Sequence, residues 1–104
     1  MKTTDLKTID IKTLVWFDKV NGNSYFAQTI TLNFGMENQE EYKNPFQYGY
    51  SSYDWEALDF LGKNVFPEFA ELKTYDLYKF CDEKKIIIRS NVHKNCKKRE
   101  LMNI

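Results

Sequence analysis

The 104 residues suffice for one ordinary domain, which can bury roughly two thirds of the surface that its unfolded chain exposes. Fifteen lysines and arginines balance fifteen aspartates and glutamates, which excludes a uniformly basic nucleic-acid coat and a uniformly acidic mimic of a nucleic-acid backbone. The charge is uneven, however: +1 over residues 1–35, −7 over residues 36–83 and +6 over residues 84–104. We predict a single α+β domain, 1–104, with a basic C-terminal segment, 84–104.

The N-terminal stretch MKTTDLKTIDIK lacks the uninterrupted apolar core of a secretory signal peptide. No other run approaches the roughly 20 apolar residues that a membrane-spanning helix needs. The two cysteines, Cys81 and Cys96, are too few for a disulfide framework and do not form a Cys-x-x-Cys pair. We therefore expect a soluble intracellular protein with reduced thiols and no membrane contact.

A β-hairpin is predicted around Asn21-Gly22. This pair is preferred in two-residue type I′ turns because both turn positions need positive φ. Such a turn places Phe17 opposite Phe26 and collects the apolar residues of both strands on one face. The other facing pairs are then Val20 with Asn23, Val15 with Gln28, Thr13 with Ile30, Ile11 with Leu32 and Ile9 with Phe34. We expect this face, including Phe17, Phe26 and Phe34, to pack into the core.

The opposite face of the hairpin is half apolar. It carries Leu14, Trp16, Tyr25 and Ala27 beside Lys12, Asp18, Thr29 and Thr31. Two interpretations fit this composition. Either another layer of the protein covers the face, or Trp16 and Tyr25 form an exposed contact patch.

Residues 35–50, GMENQEEYKNPFQYGY, have the pattern of a loop that leads into a short third strand. Pro45 is expected at the start of that strand, because proline cannot donate the backbone hydrogen bond that an interior position needs. Gly49 indicates a position where another group approaches the backbone closely.

Helices are predicted in the C-terminal half. Ser51 or Ser52 caps a helix whose first turn is acidic, and Gly62 is placed to end it. Pro67 starts a second helical turn, and the apolar spacing after Thr74 indicates a further helical segment. The pattern allows these last two to form one bent helix or two short ones.

A brief β-branched run, Ile86-Ile87-Ile88, predicts one more strand in the same sheet. The predicted fold class is therefore α+β. We expect an antiparallel sheet of three to four strands, built on the N-terminal β-hairpin and packed against one or two short helices.

Residues that commonly carry chemistry are few. His93 and Cys96 are close in sequence, but a structural zinc site needs about four ligands, and Cys81 would supply only a third. A cysteine nucleophile paired with His93 would need another residue to orient the imidazole. The sequence has no phosphate-binding glycine loop and, with four glycines, no dinucleotide fingerprint. We predict a non-enzyme with no catalytic residue, metal or cofactor.

The segments WFDKVNGNSY (residues 16–25), PFQYGY (residues 45–50) and KKREL (residues 97–101) resemble a group of small bacteriophage and prophage proteins. That group shares an Asp-x-x-Asn-Gly-Asn-Ser/Thr-Tyr hairpin, a Pro-Phe-x-Tyr-Gly-Tyr block, a helix and a short basic C-terminus. This chain departs from the pattern at Phe26, where many members have histidine, and after Tyr50, where Ser-Ser replaces glycine. The resemblance implies a viral or mobile-element origin and action in the cytoplasm of a bacterial host.

Small viral proteins without catalytic residues often bind and block a host protein. The first functional hypothesis is therefore a stoichiometric inhibitor of a bacterial defence system, such as an anti-CRISPR protein, that docks on the positively charged nucleic-acid channel of a host effector. The candidate binding residues are Glu37, Glu40, Glu41, Tyr42, Tyr48, Tyr50 and Tyr53. Their carboxylates provide charge complementarity, and tyrosine supplies large contact area at modest entropic cost.

The second hypothesis is a nucleic-acid-binding accessory protein of phage replication or transcription, in which basic side chains follow phosphates and rings stack on bases. The candidate residues are Trp16, Tyr25, Lys94, Lys97, Lys98 and Arg99. The alternative for the basic residues is a solvated terminus. A third possibility, a structural protein of the virion, predicts self-association through the edge of the hairpin sheet. The sequence leaves the oligomeric state open.

Overall fold

The structure, a computed structural model, describes residues 1–49, 52–70 and 74–104, without the side chains of residues 74–77. After a 3₁₀ turn at Thr3–Asp5, the elements are β1 (Thr8–Asp18), β2 (Asn23–Leu32), β3 (Glu40–Tyr48), α1 (Tyr53–Asn64), α2 (Pro67–Ala70), α3 (Thr74–Glu83), β4 (Ile87–His93) and α4 (Lys98–Met102). The four strands form one sheet in the order β3-β2-β1-β4. The predicted α+β fold, built on the N-terminal hairpin, is confirmed.

The fourth strand differs from the expected antiparallel arrangement. β1–β2 and β2–β3 are antiparallel, but β4 is parallel to β1, with Thr8 opposite Ile87 and Leu14 opposite His93. A parallel neighbour requires a long crossover connection, which is usually helical. The helices α1 to α3 occupy that connection, between the end of β3 and the start of β4. The sheet is therefore mixed.

The hairpin register is two residues away from the predicted one. β1 and β2 pair Asp18 with Asn23 and Phe17 with Ser24, so the loop contains the four residues 19–22 instead of two. Because side chains alternate between the faces of a sheet, a shift of two residues leaves every side chain on its predicted face. The prediction was therefore wrong about the facing partners and right about the faces.

The side chain of Asp18 accounts for the longer loop. Its Oδ1 accepts hydrogen bonds from the backbone N–H groups of Val20 (3.0 Å) and Asn21 (3.3 Å). The backbone carbonyl of Asp18 also accepts one from the N–H of Gly22 at 2.7 Å. Within the loop Gly22 has positive φ (70°) but Asn21 does not, whereas a type I′ turn needs both. These bonds stabilise a four-residue loop instead of the two-residue turn.

Buried polar side chains fix the register of the three antiparallel strands. Gln28 on β2 lies opposite Thr13 on β1 and opposite Asn44 on β3, and all three are buried. The Gln28 Nε2 donates to Thr13 Oγ1 (3.1 Å), and its Oε1 accepts from Asn44 Nδ2 (2.8 Å). Gln28 Nε2 also donates to the carbonyl oxygen of Tyr53, at the start of α1 (2.6 Å). The predicted register would separate Thr13 from Gln28 and lose their hydrogen bond.

The core lies between the sheet and the helices α1 to α3. Its buried apolar residues are Leu6, Ile9, Ile11, Ile30, Leu32, Ala57, Leu58, Leu61, Phe66, Phe69, Cys81 and Ile86. Gly62 was predicted to end α1, but the helix continues to Asn64. A Cβ atom at Gly62 would lie 2.8 Å from the backbone nitrogen of Ala70, so glycine allows α1 and α2 to pack closely.

The starts of α1 and α2 and the surroundings of Gly49 agree with the predictions from the sequence. Ser52 is the N-cap residue of α1, although its side chain makes no capping hydrogen bond, and Ser51 lies outside the described residues. Pro67 starts α2, as predicted. The close approach predicted at Gly49 is confirmed, since a Cβ atom there would lie 2.8 Å from the buried ring of Phe26.

Replacing Gln28 by leucine tests the polar network. Leucine is similar in size but apolar, so it leaves Asn44 Nδ2 and the Tyr53 carbonyl without their hydrogen-bond partner. We expect the free energy of unfolding, measured by urea denaturation, to fall by about 2 kcal/mol. The matched control is Thr31→Val on the opposite face of β2, which should change stability by less than about 0.5 kcal/mol. A neutral or stabilising Gln28→Leu substitution would contradict the role of the network.

Candidate nucleic-acid interface

The chain that follows β4 brings lysines to the hairpin end of the sheet. β4 ends opposite Leu14, so the last residues of β1 extend beyond it. The N–H of Cys96 donates to the Val15 carbonyl oxygen at 3.0 Å and holds residues 94–97 beside β1. The hairpin loop supplies another lysine. We call the resulting group of exposed lysines the basic end: Lys19, Lys94, Lys97 and Lys98.

Phe17 lies within the basic end and borders two grooves. Its side chain was predicted in the core but is 50% exposed. Ser24, which lies opposite Phe17 on β2, is too small to cover the ring. One groove, of about 450 Å³, also contains Lys19, Lys97 and Lys98, and the other, of about 300 Å³, contains Lys94 and Tyr53. Phe34, also predicted in the core, lies beyond the end of β2 and is 64% exposed.

Four aromatic side chains cross the other face of the sheet at the same end. We call them the aromatic row: Trp16, Tyr25, Phe46 and Tyr48. The ring centroids of Trp16 and Tyr25 are 5.4 Å apart, and those of Tyr25 and Phe46 are 5.1 Å apart with planes 7° from parallel. Tyr48 meets Tyr25 edge to face at 5.8 Å. The stacked rings cover part of one another's faces, and Trp16 and Tyr25 are half-buried.

A β-bulge in β3 places two of these rings. Pro45 was predicted at the start of the strand. It lies instead inside β3, where the pairing with β2 shifts by one residue. A bulge changes which face the following residues point to, and proline is tolerated there and on an edge strand. Tyr42 faces the helical core, opposite Ile30, whereas Phe46 beyond the bulge joins the aromatic row.

The C-terminal helix packs on the same face as the aromatic row. Leu101 is fully buried, and α4 contacts β1, β2 and β3. The Lys98 Nζ lies 5.7 Å from the ring centroid of Trp16 and 6.0 Å from that of Phe46, within the range of cation–π attraction. α4 therefore covers part of this face, as the first interpretation expected, while Trp16 and Tyr25 are half-buried and their role as a contact patch stays a prediction.

Two acidic residues beside the basic end, Asp18 and Glu100, already have hydrogen-bond partners. Asp18 Oδ2 accepts from Asn21 Nδ2 at 2.8 Å. This hydrogen bond, followed by those from the backbone and the attraction of Lys98, lowers the pKa of Asp18. The Glu100 carboxylate accepts from the backbone N–H of Lys97. Within the described part of the chain, no lysine of the basic end forms a salt bridge, although Lys98 attracts the Asp18 carboxylate.

The residues of the first hypothesis lie in different parts of the fold. Tyr48 is at the hairpin end of β3, whereas Glu40 is at its other end, roughly 26 Å away along the strand. Glu37 is exposed in the loop before β3. Tyr53 is half-buried at the start of α1, where burial raises its pKa. Tyr50 lies outside the described residues.

Neighbouring residues at the start of β3 also point in different directions. The Tyr42 hydroxyl donates to Glu40 Oε2 at 2.7 Å, and this hydrogen bond raises the pKa of Tyr42. Glu41 lies on the opposite face, where its Oε1 is 3.6 Å from the Lys43 Nζ. The start of β3 therefore presents Tyr42 and Glu41 to different sides of the sheet.

The structure brings together most residues of the second hypothesis. Lys98 lies over Trp16, which stacks on Tyr25, while Lys94 and Lys97 line the adjacent grooves. Arg99 is exposed on α4, next to Lys98 in sequence.

Sequence reasoning missed two residues of this site. Lys19 could have been found from its place beside the hairpin turn. Phe17 could not, because strict alternation assigns it to the core face and the predicted register did not place it opposite the small Ser24.

The cysteines and the histidine are dispersed. Cys81 is buried in the core, whereas Cys96 is half-buried and its Sγ lies 3.2 Å from the His93 carbonyl oxygen. Among the residues that the structure describes, no three histidine, cysteine, aspartate or glutamate side chains are grouped as metal ligands would be. None of the described helices has the length and apolar character needed to cross a membrane.

No protein-family model matches the sequence, and comparisons with curated proteins and with solved structures give no match.

The buried thiol of Cys81 predicts a pH-dependent stability. Burial raises the pKa of Cys81 from 9.0 to about 11. Between these values the unfolded chain loses the thiol proton while the folded chain keeps it, so stability present below pH 9 is lost as the pH rises. We expect the free energy of unfolding to fall by up to about 1.4 kcal/mol per pH unit from this group.

Chemical denaturation under reducing conditions between about pH 8 and pH 10.5 would measure this effect. The free energy of unfolding of the Cys81→Ala variant should fall less steeply with pH than that of the parent protein. Any contribution from the tyrosines is common to both proteins. Cys96→Ala, which removes the thiol outside the core, is the matched control and should keep the parent slope. Equal slopes for the parent and Cys81→Ala would show that the thiol does not carry the effect.

Proposed function

We propose that the protein binds nucleic acid through its basic end, as a non-enzymatic accessory protein of phage replication or transcription in the cytoplasm of a bacterial host. The observation that carries this proposal is the convergence of four exposed lysines, from two distant chain segments, around a half-exposed phenylalanine. Lysines neutralise phosphates and release their counterions, while exposed rings contact bases. The neutral composition of the whole chain does not oppose this function, because the positive charge is local.

The lysines of the basic end are attached to backbone that the fold holds in place. The Cys96–Val15 hydrogen bond and the buried Leu101 fix the segment on either side of Lys97. The position of Lys19 is set by the hydrogen bonds that Asp18 accepts within the hairpin loop. Binding to lysines whose backbone is already in place costs less free energy than binding to a free tail, because the tail must first become ordered.

Removing lysines from the basic end tests the proposal. In a Lys19→Ala/Lys94→Ala/Lys97→Ala variant, we expect weaker binding to a mixed-sequence single-stranded oligonucleotide. For single strands, log K falls with log salt by about 0.7 per phosphate neutralised, so the slope should become shallower by about 2. Fluorescence anisotropy over a salt series would measure both quantities.

The matched control removes the same charge elsewhere. Lys2, Lys7 and Lys79 are exposed, and Lys7 precedes β1 at the end of the sheet opposite the hairpin loop. Their triple alanine variant should keep the parent salt slope. If both triple variants lose affinity equally, net charge accounts for binding and the basic end does not. Turnover of nucleotide or phosphodiester substrates by the purified, metal-replete protein would contradict the non-enzymatic part of the proposal.

A second candidate function, stoichiometric binding to a host defence protein, is supported by the loop between β2 and β3. This loop exposes Phe34 by 64% and Met36 by 44%. Asn33 fixes its start: the buried Oδ1 accepts from the Lys7 N–H at 2.7 Å, and Nδ2 donates to the Asp5 carbonyl oxygen at 2.9 Å. Apolar side chains on a held loop make a preorganised contact site.

The acidic residues Glu37, Glu40 and Glu41 are on or next to this loop and would add charge complementarity to a basic host surface. The test is affinity purification from the bacterial host after nuclease treatment, followed by mass spectrometry. A host protein held in near-stoichiometric amount should be lost with Phe34→Ala/Met36→Ala and retained with Met102→Ala, which removes another exposed apolar side chain (62%). Retention by the Phe34/Met36 variant would exclude the loop as the docking site.

A further inference from the structure

Phe17 presents its ring differently from the aromatic row. The rings of Trp16, Tyr25 and Phe46 pack against one another, and Lys98 lies over two of them. Phe17 is on the helix-facing side of the sheet, opposite the small Ser24, and half of its surface is exposed. Tyr48 of the aromatic row is 61% exposed but lines neither of the two lysine-lined grooves, whereas Phe17 lines both.

Lysines lie on both sides of this ring. Lys94 lines the groove toward α1, whereas Lys19 and Lys97 line the groove toward the hairpin loop. Phe17 and Asn95 line both grooves, so the two spaces adjoin at these residues. The Asp18 carboxylate also lines the groove toward the hairpin loop, but it already accepts three hydrogen bonds. A strand laid across Phe17 would thus meet lysines before and after the ring.

We propose that Phe17 and the lysines beside it form a subsite specific for single-stranded nucleic acid, in which an unpaired base stacks on Phe17 and the flanking phosphates bind Lys94 on one side and Lys19 and Lys97 on the other. This inference rests on the proposed function and narrows its ligand. In a duplex, both faces of each internal base are covered by neighbouring bases, so stacking on Phe17 would first require unstacking. A single strand offers free base faces and the same phosphates.

The test compares three ligands of equal length at one salt concentration: oligothymidylate, an abasic strand with the same phosphates, and a duplex. The parent protein should bind oligothymidylate roughly tenfold more tightly than the abasic strand, as one stacked base predicts. Phe17→Ala should lose this preference by binding oligothymidylate more weakly while binding the abasic strand as before. Phe17→Tyr keeps an aromatic ring and should retain the preference.

Ile87→Ala is the matched control, because it removes an exposed apolar side chain (58%) at the start of β4, at the other end of the sheet. This variant should keep the parent preference. If the parent binds all three ligands equally, or if Phe17→Ala keeps the preference, the subsite is overturned while binding through the basic end still stands. If the parent binds none of them, both the subsite and the proposed function fail.

Discussion

The buried amide of Gln28 is the constraint on which the rest of the arrangement depends. It joins β1 through Thr13, β3 through Asn44 and the start of α1 through the Tyr53 carbonyl. A buried amide must use its donors and its acceptor, so only a register that supplies these partners is stable. The same register places Phe17 opposite a serine instead of a phenylalanine, and thereby leaves its ring exposed.

The bulge at Pro45 has an equally specific consequence. By changing the face of the residues that follow it, the bulge moves Phe46 from the helical core to the aromatic row. Phe46 and Trp16 then lie within cation–π distance of Lys98, the first residue of α4. In this arrangement the aromatic row anchors the C-terminal segment and positions the charge of Lys98, whereas Phe17 lies on the other face of the sheet and lines the two lysine-lined grooves.

Alternation of side chains was sufficient to predict the faces of the hairpin, and turn chemistry located the loop. The register was missed because the Asp18 side chain stabilises a longer loop than Asn-Gly alone suggests. The parallel β4 and the packing role of Gly62 depend on contacts between segments far apart in sequence, which local patterns do not contain. For the same reason, the basic residues could be identified from the sequence but their convergence on Phe17 could not.

The basic C-terminal segment was open to interpretation as a solvated terminus, and its contacts oppose that interpretation. Residues 94–97 are bonded to β1 through Cys96, and α4 buries Leu101 against the sheet. Lysines in a free tail would need to be ordered when a ligand binds, at a cost in conformational entropy for each side chain and the backbone. Here the backbone part of that cost is met on folding, by interactions that involve no ligand. The segment that carries most of the positive charge of the basic end is therefore part of the folded structure.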